Sequence, residues 1–308
     1  MKDFLEKTSH SDKIMPKNCA LVLEGGGTRT FYSAGVFDAL IDAGILFPYI
    51  IGVSAGAANA TSYISWQKNR NRIIAEQYVS RPEYFSKRNM LRHQSVFGFD
   101  YIFQDIPKKH VFFDQKTFDT ADVRFLAGAM DCNDGQTVWF EKEDMKDGNF
   151  AALRASCSFP GITKMIKHKG YVLLDGGISC PIPIEQSIAD GNTFHVIILT
   201  RNQGYVRYPF KYKRTLRLVY RKYPKLVEKI MKNHEVYNRQ LALCEKLEKE
   251  GKALIIRPLR PILVSMLDKD TDKLLDLYDE GYKEGETAIE RLKSLLMRDE
   301  QYVPQESV

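Results

Sequence analysis

One large α/β domain, built on a largely parallel sheet with helices on both faces, is the fold this sequence predicts. Three observations carry it. Short continuous apolar runs have the length of buried strands, and stretches with helical spacing alternate with them. The chain has 308 residues, of which 44% are hydrophobic, enough for one sizeable core.

The elements follow in order. "CALVL" at 19–23 is a buried strand, and "TFYSAGVFDALIDAG" at 30–44 is a helix with Gly44 as its stop signal. "FPYIIGV" at 47–53 and "AGAANATSYISWQ" at 55–67 repeat the strand–helix pair. Residues 68–122 are irregular, basic and aromatic; helices and loops on one side are expected there, with 68–110 as a candidate lid. "VRFLAGAMD" (123–131) and "QTVWFE" (136–141) read as a hairpin across "CNDG". "NFAALRASCSF" (149–159) is helical, and "YVLLDGG" (171–177) and "FHVIILT" (194–200) are strands. Beyond residue 211 the pattern is helical and charged, broken by one more strand, "KALIIRP" (252–258), and closed by an amphipathic helix over 270–296. The expected organisation is a tail at 1–17, a core at 18–200, a basic helical part at 201–297 packed on the same domain with one added strand, and a tail at 298–308.

Composition narrows the function classes. Five scattered cysteines without a C-x-x-C pair argue against a disulfide framework or a zinc site, and a reducing cytoplasm is expected. The N-terminal stretch has mixed charges and no apolar core of a signal peptide. No apolar run approaches the roughly 20 residues that cross a bilayer.

Three fragments carry chemistry. "GVSAG" at 52–56 fits G-x-S-x-G between a strand and a helix, where a sharp turn pushes Ser54 outward and Gly52 and Gly56 remove clashing Cβ atoms. A serine hydroxyl needs a base. The six histidines sit in unconvincing settings: His195 reads as a satisfied core residue and His234 as part of a solvated helix face. The search turns to carboxylates, and "LLDGG" at 173–177 places Asp175 after an apolar strand, where sites form in open α/β sheets. "LVLEGGGTRT" at 21–30 supplies the remaining part: the amides of Gly26 and Gly27 are expected to face a developing oxyanion where side chains would obstruct. Arg29 adds positive charge beside that loop or braces it.

G-G-G-x-R, G-x-S-x-G and D-G-G, in this order and these strand contexts, resemble the patatin-like phospholipase family, as does the block "ASCSFPGI" at 155–162. The resemblance runs from about 18 to 200 and is closest to bacterial cytoplasmic members. It implies a Ser-Asp dyad without histidine, lipid acyl hydrolysis, and neither metal nor cofactor. Ser54 matches the nucleophile, Asp175 the base, and Gly25, Gly26, Gly27 and Arg29 the oxyanion loop. Two positions depart from the family pattern: Glu24 stands where Asp is usual, and Thr30 where Gly is usual. Thr30 is expected either to restrict the backbone or to cap the following helix.

Rival readings are weaker. The glycine run lacks the Gly-Lys-Ser/Thr ending of a phosphate-binding loop and fails G-x-G-x-x-G at Thr30. A Ser-His-Asp hydrolase normally has its elbow serine deeper in the chain. Cys157 reads as a small buried hydrophobe. Residues 201–232 are rich in Lys, Arg and Tyr, with Glu228 the one acid. They suit a plain solvated face or an anionic membrane surface; nucleic acid is the least favoured partner. The expected function is a serine acyl-ester hydrolase of lipid or lysolipid, cytoplasmic and in peripheral contact with the inner membrane surface. The alternative is a non-catalytic lipid- or membrane-binding regulatory protein on the same fold.

Overall fold

The structure, a computed structural model, describes residues 17–298. The expected tails, 1–17 and 298–308, lie outside the described residues save for their inner ends. Strand β1 (Cys19–Leu23) is wholly buried and leads through the glycine loop and a 3-10 turn (Gly27–Thr30) into α1 (Phe31–Asp42). Strand β2 (Tyr49–Val53) runs directly into α2 (Ser54–Ile64). Helices α3 (Arg70–Gln77) and α4 (Lys87–His93), a π-helical segment at Tyr101–His110, and α5 (Gln115–Thr120) form the irregular stretch. Strands β3 (Arg124–Asp131) and β4 (Thr137–Glu141) form the expected hairpin, followed by α6 (Ala151–Ser156). Then come β5 (Ile166–His168), β6 (Tyr171–Asp175), α7 (Ile184–Ala189) and β7 (Phe194–Ile198). Helix α8 (Lys213–Val219), α9 (Pro224–Lys249), β8 (Ala253–Ile256) and α10 (Thr271–Arg298) complete the described chain.

The eight strands form one sheet in the order β5-β6-β3-β2-β1-β7-β8, with β4 pairing β3. From β3 to β8 the strands are parallel; β4, β5 and β6 add an antiparallel end. A parallel strand must return through a crossover, so the helices cover the sheet on both sides and bury its strands as continuous apolar runs. The larger core contains Leu21, Leu23, Phe37, Tyr63 and Phe125; a second, containing Val22, Ile51, Ile197 and Tyr237, lies beneath α9. Strand β5 is too short and polar to register as a strand in the sequence; its pairing with β6 supplies the missing signal.

Register positions the site. Leu23 of β1 faces Gly52 of β2, so the glycine loop and the start of α2 emerge side by side. Val53 faces Gly128 of β3, and Ala129 faces Asp175 of β6. Asp175 therefore sits at the carboxyl end of an antiparallel strand. The rule for parallel strand ends does not put it there: β6 stops opposite the middle of β3, beside the end of β2.

Candidate active site

Ser54 occupies a left-handed conformation, φ 56°, between an extended Val53 and the body of α2. A non-glycine residue holds that conformation at a cost of order 1–3 kcal/mol unless its surroundings impose it. The surroundings do so here. The Ser54 N–H donates to Ser156 Oγ at 2.7 Å, and that hydroxyl donates to Gly128 O at 2.6 Å. A Cβ on Gly56 would stand 2.4 Å from Glu24 O, and one on Gly52 would stand 3.1 Å from Leu23 Cβ. Only glycine lets α2 start this close to β1.

The Ser54 hydroxyl donates to Asp175 Oδ2 at 2.6 Å, across 121 residues of sequence. Asp175 is 4% exposed, and its other oxygen accepts the Gly177 N–H at 2.7 Å. Burial pushes the carboxyl up to about 6, against the opposing pull of the Ser54 and Gly177 hydrogen bonds and of Arg207. A carboxyl tuned toward neutrality is suited to exchange a proton with a hydroxyl. No histidine lies within hydrogen-bonding reach of Ser54 among the described residues; His195 is buried against Ser187 Oγ at 3.1 Å, and burial lowers it to about 4. His234 is not a solvated-face residue. It lines a cavity beside the site.

The glycine loop packs directly on Ser54. A Cβ at Gly25 would stand 2.8 Å from Ser54 Cβ, and one at Gly26 would stand 2.8 Å from Thr200 Oγ1. Gly27 has φ 60° and would collide with Met266 O at 2.2 Å. The loop's carbonyls are occupied: Thr200 Oγ1 donates to Gly25 O (2.9 Å), Arg29 N to Gly26 O (3.4 Å) and Thr30 Oγ1 to Gly27 O (2.7 Å). The N–H groups of Gly25, Gly26 and Gly27 have no acceptor among the described residues. They are backbone donors left for something else.

Thr30 adopts φ −72°, a conformation open to any residue, so replacing the usual glycine strains nothing. It occupies the N-cap position of α1 but forms no side-chain cap; its hydroxyl turns back to Gly27 O and accepts Asn59 Nδ2 at 2.9 Å. Glu24 is buried and accepts the Thr200 N–H at 2.7 Å. Arg29 does not brace the loop: its guanidinium makes no hydrogen bond or ion pair among the described residues.

Several supporting residues escaped the sequence reading. Asn233 of α9 donates to Gly177 O and Ile178 O, both at 2.8 Å, and fixes the turn after Asp175. Met266 O accepts the Thr28 N–H at 3.1 Å and Ser265 O the Thr28 hydroxyl at 3.0 Å, anchoring the glycine loop from beyond β8. Ser156, within the "ASCSFPGI" block, carried the one available signal.

Two cavities meet at Ser54 and Asp175. The narrower, about 120 Å³, is walled by Phe31, Ile74, Phe99, Phe103 and Phe113, most of them from the irregular stretch at 68–122. Cys157 lies on its wall, where burial pushes the thiol well up from its ordinary value. The wider, about 720 Å³, opens between the glycine loop and residues 201–234 and is bordered by Arg29, Arg201, Arg207, Tyr205 and Tyr208. No group of three metal-ligating side chains occurs among the described residues.

A model of the patatin-like phospholipase family matches residues 21–188, more than half of the chain, and the chain belongs to that family. A domain of unknown function, DUF6363, matches residues 223–297, the stretch that supplies Asn233, Met266, β8 and most of α10. The uncharacterized protein YjjU of Escherichia coli is 26% identical over 260 residues, 81% of this chain and 71% of its own length. An uncharacterized NTE family protein of Mycobacterium bovis, Mb1092c, is 26% identical over 175 residues, 54% of this chain; the chain spans 44% of that relative's length. VipD of Legionella pneumophila superposes with a TM-score of 0.45 at 10% identity, covering 93% of this chain and 70% of its own. Family membership supports lipid hydrolysis in general terms.

Proposed function

We propose that this patatin-like protein is a serine acyl-ester hydrolase of lipids, phospholipase A- or lysophospholipase-like, with Ser54 as nucleophile and Asp175 as its base. The 2.6 Å hydrogen bond between them, where an aromatic-walled cavity meets a wider one bordered by arginines and tyrosines, carries the reading.

Asp175 takes the hydroxyl proton as Ser54 Oγ bonds to the ester carbonyl carbon. The carbonyl π electrons move to oxygen, and the free amides of Gly25, Gly26 and Gly27 receive the oxyanion. The tetrahedral adduct collapses, the ester C–O bond breaks, and Asp175 returns the proton to the departing alcohol. A water molecule then repeats the sequence, leaving a free fatty acid and a restored serine. The aromatic-walled cavity suits the acyl chain by the hydrophobic effect, and the wider one the remainder of the lipid.

The rival reading, lipid binding without turnover, is separated by hydrolysis of phospholipid and lysophospholipid with product identification. Wild-type release of fatty acid, reduced about 10⁴-fold or more in Ser54→Ala, is the expected outcome. A wild type that cleaves no acyl ester would leave binding alone.

The mouth of the wider cavity is also the proposed membrane contact. Tyr208 (80% exposed), Tyr212, Leu218 (73%) and Val219 stand out from the surface among exposed Lys211, Lys213, Arg214, Arg217 and Arg221. Exposed apolar and aromatic groups ringed by cations suit an anionic interface, at about 1 kcal/mol per basic residue. No helix among the described residues is long and apolar enough to cross a membrane. Sedimentation with vesicles containing anionic lipid, lost in Lys213→Glu/Arg217→Glu, tests this contact; equal sedimentation of that variant would remove it.

A further inference from the structure

The wider cavity holds more positive charge than its own carboxylates answer. Arg207 is committed: its guanidinium donates to Asn233 Oδ1 at 2.8 Å, lies 3.7 Å from Glu24 Oε1, and stacks at 3.7 Å on the Tyr237 ring. Asp175 is occupied by Ser54 and Gly177. Arg29 and Arg201 remain. Both border the cavity, and neither guanidinium makes an ion pair or hydrogen bond among the described residues.

Arg29 is only 8% exposed, and its Nε is buried without a partner. Arg201 is half-buried with its Nε likewise unpaired, its guanidinium 4.5 Å above the Tyr205 ring. Burial, then the neighbouring charge of Arg201, brings Arg29 down to about 10. Buried cations without a counter-ion are costly, and a guanidinium fork matches the oxygens of a phosphate. Placement excludes two other uses. The oxyanion is already served by amides, and the acyl chain has its own aromatic cavity, which neither arginine lines.

We propose that Arg29 and Arg201 form a subsite for the phosphate of an anionic lipid head group, so that the preferred ester is a monoacyl or diacyl glycerol phosphate with net negative charge. This rests on the hydrolase reading only for the placement of the scissile ester next to Ser54.

The test uses short-chain lipids that stay monomeric, so that surface binding plays no part. Binding of 1-octanoylglycerol 3-phosphate, 1-octanoylglycerol and 1-octanoylglycerophosphocholine is measured by calorimetry on the full chain carrying Ser54→Ala. Turnover of the same three is measured on wild type. The phosphate ester is expected to bind at least 10-fold more tightly than the neutral ester, and Arg201→Gln to reduce that ratio about 10-fold. Lys249→Gln, at the far end of α9, controls for net charge and leaves the ratio in place. Equal binding of phosphate and neutral esters, tightest binding of the choline ester, or an unchanged ratio in Arg201→Gln would overturn the subsite. Inorganic phosphate that binds as tightly as the phosphate ester would overturn its assignment to lipid. Selective binding without turnover of any ester would sink the hydrolase reading and leave the subsite standing.

Discussion

Two sets of glycines let backbones approach more closely than a Cβ allows, and they differ in what the approach leaves unbonded. At Gly25–Gly27 the chain passes against Ser54, Thr200 and Met266 with three amide N–H groups unpaired among the described residues. At the crossing of α1 and α10, a Cβ on Gly35 would stand 2.0 Å from Tyr278 O, and one on Gly281 would stand 2.0 Å from Tyr32 O. There the backbones remain within helices, and phenols and carboxylates lock the seam: Tyr278 donates to Asp38, Tyr282 to Asp42 at 2.6 Å, and Tyr32 to Glu284. The same absence of a side chain exposes donors in one place and permits helix packing in the other. The partners of the backbone N–H groups, and not the glycine count, separate a chemical role from a packing one.

Substitutions at the two places should fail differently, one losing rate and the other stability. The largest effect is expected at the site itself. Asp175→Asn cannot accept the Ser54 proton, and kcat should fall about 10⁴-fold with Tm nearly unchanged. The proposed base acts in its charged form, so activity is expected to halve near pH 6 and decline below it as the Asp175 carboxyl protonates. An acid limb near the ordinary carboxyl range would show that burial does not tune this group.

Gly281→Ala follows. The added methyl must push α10 off α1, which costs about 3 kcal/mol and lowers Tm, while kcat per folded molecule stays near wild type. Gly25→Ala should behave in the opposite way. It displaces the loop from Ser54 and lowers kcat about 10²-fold, with a smaller change in Tm. If both variants lose the same quantity, the contrast between the seams is broken.

The smallest effect is expected for Tyr278→Phe, which leaves Asp38 with the Asn69 N–H at 2.8 Å as its remaining hydrogen-bond donor, at about 1 kcal/mol. Burial raises Asp38 from 3.8 to about 7. Folding therefore retains a proton that the unfolded chain releases between those values, and stability declines as pH rises from about 4 to 7. Denaturation midpoints at pH 5 and pH 8 should show the Phe variant more impaired at pH 8, where the carboxylate is charged and has lost its phenol.

Much of this was readable from residues 18 to 200. Strand β1, strand β2 and the helices after them announce themselves by apolar runs ended with glycine, and Ser54 is framed by Gly52 and Gly56 because a sharp turn demands small neighbours. Asp175 was also legible, though by the wrong rule, since it lies on an antiparallel strand. Glycine loop, elbow and Asp-Gly-Gly turn are local patterns, each set by the conformations that a few consecutive residues can adopt. Period and backbone conformation act over short stretches of chain, so the sequence by itself determined those three parts and the alternation that builds the sheet.

Tertiary structure decided the rest. Met266 and Asn233, more than 200 and 50 residues from the groups they hold, brace Thr28 and Gly177. His234 faces a cavity instead of solvent. The Arg29 guanidinium is set beside other cations with no bond to its own loop. None of these follows from neighbours in sequence. Burial, pairing and electrostatic field depend on what the fold brings near, and residues far apart along the chain become close only once the sheet is assembled.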